Sequence, residues 1–97
     1  MELRNITREL YYGSKRLEES SKEIFLLAKA MAEKERDYRK ALAVEKIRLR
    51  DEGMPVGMID DVARGNLADL RFERDSAREA YIAAKEAMKA IQAQINA

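Results

Sequence analysis

An all-α fold, a long antiparallel helical hairpin with a short helix at its tip, is predicted by three observations on this 97-residue chain. The first is a series at spacings of three and four, Leu67, Leu70, Arg74, Ala77, Tyr81, Ala84, Met88, Ile91 and Ile95, a coiled-coil seam interrupted by one charge. The second is the stretch Ser14 to Glu52, which lacks proline and glycine and is entered in phase by the sevenfold series Leu3, Leu10, Leu17, Ile24, Met31, Tyr38. The third is Gly53-Met54-Pro55-Val56-Gly57, a dense cluster of helix breakers at which the chain must turn.

The chain is read as a single domain, residues 1–97. Its first helix covers 1–52. A stop at Gly13 is an alternative, because a poor helix former there precedes a good N-cap, Ser14; the sevenfold phase, kept across the glycine, favours one continuous helix. Gly53 is the natural C-cap. Residues 53–65 form the tip, where a helix of one or two turns over Met58–Ala63 is expected to lie across the open end of the helix pair as a plug, with Val56, Ile59 and Val62 inward. Asn66 followed by Asp69 resembles a capping box and opens the second helix, 66–96.

Pairing like with like sets an expected register. Ile24 falls opposite Ile95, Met31 opposite Met88, Tyr38 opposite Tyr81, and the two charged interruptions, Glu45 and Arg74, meet as an ion pair that fixes the alignment. The alternative is that both charges reach solvent along their apolar stems. Glu35 opposite Ala84 is the poor layer. The same register leaves residues 1–21 overhanging, so Leu3, Ile6, Leu10, Tyr11 and Leu17, with Tyr12, lack a partner within the chain and form the expected interaction surface. Phe25, Leu26, Val44, Ile47, Phe72 and Ile82 lie off the seam, and Ala80, Ala83, Ala87 and Ala90 offer a surface for close helix approach. Apolar surface on this scale predicts a homodimer or higher homo-oligomer built as a helical bundle. An amino-terminal segment folded back on its own hairpin is the competing arrangement.

Composition narrows the function classes. Nineteen basic residues against eighteen acidic ones argue against a partner held by net charge alone. Without histidine or cysteine the usual nucleophile and base arrangements are missing, so no enzyme and no cofactor is expected. Glu33, Glu35 and Asp37, or Asp60 with Asp61, match no metal-ligand spacing and read as solvated positions. No apolar run spans a bilayer and the start lacks a signal-peptide core, which predicts a cytoplasmic protein without a membrane partner.

Nucleic acid is the strongest alternative partner. Lys29, Arg36, Arg39, Lys40, Lys46 and Arg50, with Lys22, fall on one side of the first helix, and Arg71, Arg78 and Lys85 make a second stripe. Such stripes can track phosphates, although interleaved acids at helix-stabilising spacing are also what a solvated face looks like. The order helix, glycine turn, short helix, turn, helix around 47–66 also suggests a helix-turn-helix. Its presumed recognition helix, however, would begin Asn66-Leu67-Ala68-Asp69, with an aspartate aimed at DNA.

The segments Phe25-Leu26-Leu27-Ala28-Lys29, Tyr38-Arg39-Lys40-Ala41-Leu42-Ala43, Gly53-Met54-Pro55-Val56 and Ala63-Arg64-Gly65-Asn66-Leu67-Ala68-Asp69-Leu70, with Glu73-Arg74-Asp75, resemble small helical proteins encoded by phages and prophages of Gram-positive bacteria. The resemblance implies a viral origin, the host cytoplasm as location and a place among early genes of DNA replication or recombination; it carries no functional residue. The expected function is a non-enzymatic coiled-coil interaction protein that self-associates and binds a phage or host protein. A nucleic-acid-binding accessory protein is the alternative.

Overall fold

The computed structural model describes residues 2–96, and its three elements are all helices: α1 (Glu2–Asp51), α2 (Val56–Asn66) and α3 (Ala68–Asn96). They form an antiparallel hairpin, a rod of 77 × 17 × 15 Å. At about 1.5 Å per residue, α1 alone accounts for its length.

α1 runs through Gly13 without a break. The glycine serves packing instead: a Cβ placed on it would lie 2.8 Å from Ile95 Cγ1, so its bare backbone lets the end of α3 come close. At the other end α1 closes in a Schellman motif. Gly53 adopts φ +88°, a left-handed conformation suited to glycine. Its N–H donates to the Arg50 carbonyl at 3.0 Å, and the Met54 N–H donates to the Leu49 carbonyl at 3.1 Å. Met54 then packs against Leu49, the apolar contact that accompanies this cap, and Pro55 prevents the helix from continuing.

The short helix is not a plug across the end of the pair. α2 runs back along α1, packing Ile59 and Ala63 on Leu49 with Leu42, Met54 and Val62 around them, while Lys46 Nζ lies 3.1 Å from Asp60 Oδ1. Nor does Asn66 cap α3: it ends α2, and the hydrogen-bond ladder crosses the joint. The Leu67 N–H donates to the Ala63 carbonyl at 3.1 Å and the Arg71 N–H to the Leu67 carbonyl at 3.0 Å, so backbone hydrogen bonds carry the chain through the joint. Leu67, at φ −108° and ψ 23°, marks a bend between two helices that together make the returning arm.

That arrangement overturns the expected register. Ile95 lies against Gly13 rather than Ile24, Lys34 Nζ sits 3.3 Å from Glu73 Oε2, and Arg16 Nη1 donates to Gln94 Oε1 at 3.4 Å. The helices are displaced by about eleven residues, three turns or roughly 16 Å. The displacement equals the 11 residues of α2, which take positions along α1 that the start of α3 was expected to fill. Ile24 therefore stands level with Ala84, Leu17 with Ile91 and Met31 with Ala77, large residues facing smaller ones or staggered ones.

All nine seam positions of the second long segment, Leu67 through Ile95, are half-buried, as their spacing predicts. Among the described residues the buried hydrophobic ones are Tyr38, Leu49, Ile59 and Ala63. With the register moved, the overhang shrinks to residues before Gly13, and Leu17 is a half-buried seam residue instead of part of it.

Candidate functional site

Two regions of the rod carry features that helix packing alone does not use. The first surrounds Arg74. Its guanidinium lies 4.6 Å above the ring of the buried Tyr38, and its Nε is 3.6 Å from Glu35 Oε2. Arg74 also donates to Asp75 Oδ1 from Nε at 3.0 Å and from Nη2 at 2.9 Å. Glu45, the partner expected from the sequence, is held by Arg48 on its own helix, and the ion pair across the seam is made by Glu35. The residue that made a poor layer in the expected register is the counter-charge in the real one.

Glu35 is shared among three arginines. Its Oε1 accepts from Arg39 Nε at 2.8 Å; its Oε2, shielded from solvent without a hydrogen bond among the described residues, lies 3.6 Å from both Arg74 Nε and Arg78 Nη2. The hydrogen bond from Arg39 holds the Glu35 carboxyl below the 4.5 of an ordinary glutamate, with the charges of Arg39, Arg74 and Arg78 adding to it. The hydrogen bond from Arg74 lowers Asp75 likewise, and the bond to Asp75 raises Arg74. Both carboxyls are lower folded than unfolded, so their stabilisation is complete above the unfolded values and is lost as pH falls through the folded ones. Circular-dichroism melts are accordingly expected to fall in midpoint below about pH 4.5, and less steeply in Glu35→Gln, which lacks one of the two titrating groups. Matching profiles for the two proteins would remove Glu35 from this account.

Around this network Arg39, Arg64, Arg71 and Arg74, with Tyr38 and Leu42, line a groove of about 340 Å³ along one flank of the hairpin. The fold thus joins residues from both basic stripes. Of the candidate nucleic-acid contacts on α1, Arg39, Lys46 and Arg50 point toward this flank by helical geometry, whereas Lys29, Arg36 and Lys40 lie on the outer side of α1. Arg64, which the stripe reading omitted, completes a sevenfold line with Arg71, Arg78 and Lys85 that becomes visible once α2 is joined to α3.

The second region is the free end of α1. Beyond the level of Ile95, Leu3, Ile6, Leu10, Tyr11 and Tyr12 are exposed, at 79%, 53%, 48%, 63% and 57%. Leu3, Ile6 and Leu10 continue the seam line of Gly13 and Leu17 with no helix of the described chain opposite. Where α3 stops, Ile6, Leu10, Tyr12 and Gly13 face Ile91 and Ile95 across a cleft of about 730 Å³. The opposite flank of α3 carries Ala80, Ala87 and Ala90, all exposed.

Among the described residues no cluster of acidic side chains is arranged to hold a metal ion, and no helix is long and apolar enough to cross a membrane. Comparison with protein-family models, with curated proteins and with solved structures finds no match to this chain.

Proposed function

We propose that this protein is a non-enzymatic interaction module that self-associates through the amino-terminal arm of α1. One observation carries the reading: among the described residues four hydrophobic ones are buried while thirteen large ones are exposed, and five of the thirteen fall together on the arm. A clustered patch of this kind marks an interface. The fitting occupant is the same arm of a second copy, lying antiparallel where α3 would have continued. That alignment sets Leu3 of one copy against Leu10 of the other, so apolar groups meet. It also carries the incoming helix to the cleft beside Ile95.

Sedimentation equilibrium tests the proposal. The wild-type chain is expected to dimerise at about 10 to 100 μM, while a variant carrying Leu3→Asp, Ile6→Asp and Leu10→Asp stays monomeric and helical over the same range. A wild-type monomer throughout, or a dimer that survives all three substitutions, would rule out the arm as the interface.

A further inference from the structure

The charge of this chain is balanced in total and uneven in place. Arg64, Arg71, Arg78 and Lys85 recur every seven residues along α2 and α3, about 10 Å apart at the helical rise. They share a flank with Arg39, and with Lys46 beside Asp60. Four arginines of the central cluster draw on two carboxylates: Glu35 takes Arg39, Arg74 and Arg78, and Asp75 takes Arg71 and Arg74. Arg64 has no carboxylate within ion-pair distance among the described residues, although it lines the same groove. The net charge of the whole chain is +1, so an excess of positive charge here is offset by acids elsewhere.

We propose that this flank binds the phosphate backbone of a nucleic-acid duplex. Guanidinium groups are suited to it, since a planar fork meets two phosphate oxygens at once and sheds its hydration more readily than an ammonium. A line of cations over roughly 30 Å fits a rigid polyanion better than a single small phosphate. The aromatic ring at the centre, Tyr38, is 5% exposed and covered by Arg74, so it offers no platform on which bases could stack. Recognition is therefore of backbone, with duplex preferred over single strand and little sequence preference. Lys29 and Lys40, on the outer side of α1, take no part. The arm has no role in this contact, so the two proposals stand or fall separately.

Fluorescence anisotropy of the full chain with a labelled DNA duplex of about 20 base pairs tests it. Four phosphate contacts predict that affinity falls roughly 100-fold between about 50 and 200 mM salt. The variant Arg64→Gln with Arg71→Gln is expected to bind at least about tenfold more weakly at the lower salt, with its helicity and melting temperature retained. Lys29→Gln with Lys40→Gln removes the same charge from the outer side and is expected to change affinity less than about threefold. Absence of binding at about 100 μM protein in low salt, or equal losses in the two double variants, overturns the proposal. A single strand bound as tightly as the duplex would overturn the backbone-only reading.

Discussion

Leu49→Ala is expected to cost about 2–5 kcal/mol, lowering the thermal midpoint of the hairpin by roughly 10 °C or more. Leu49 is 3% exposed and sits where the closing motif of α1, Met54 and the inner face of α2 converge. Truncation there leaves a void that cannot collapse easily, because Gly53 and Pro55 constrain the turn on one side and the Ile59 and Ala63 contacts fix α2 on the other. The same change at Leu26, 63% exposed on the outer side of α1, is expected to move stability by less than about 0.5 kcal/mol. Melts at one fixed protein concentration compare the two without interference from self-association. If both substitutions cost the same, α2 is not anchored on Leu49 and the tip must be arranged differently.

Engineered disulfides are expected to divide sharply between the two registers, since the chain has no cysteine of its own. Ile24→Cys with Ala84→Cys places two thiols at one level of the seam and should oxidise within the chain. Ile24→Cys with Ile95→Cys places them about three turns apart, roughly 16 Å along the axis, and should not close, because a disulfide needs Cα atoms within about 7 Å. Mobility on a non-reducing gel, with free-thiol titration as a check, reads the result; linkage in the second pair and not the first would restore the register that matches like with like.

The seam of α3 was legible because a helix facing one neighbour must bury every third or fourth residue, whatever that neighbour is; each position from Leu67 to Ile95 obeys this. The turn was legible for a similar local reason, as Gly53 and Pro55 restrict the backbone where they stand. Glu35 could not be recognised as the partner of Arg74 in this way. A coiled-coil seam tolerates many alignments, and matching identical residues selects among them by resemblance, not by energy. A cue was present in the spacing: Ile59 and Ala63 continue the seam of Leu67 and Leu70 backward, which makes α2 part of the returning arm. The arginine groove was divided in the sequence between two stripes and a residue, Arg64, that belonged to neither until the helices were aligned.

Local chemistry in the sequence thus determined that this chain is helical, where it turns and which stripe of α3 meets α1, because propensity, capping and periodicity act over a few residues. Only the tertiary structure decided which residues meet. Sliding one helix past another by whole turns leaves every local preference satisfied, and the choice rests on how α2 packs over Leu49. From that choice follow the shared carboxylate of Glu35, the basic flank, and an arm that begins before Gly13 and not at residue 21.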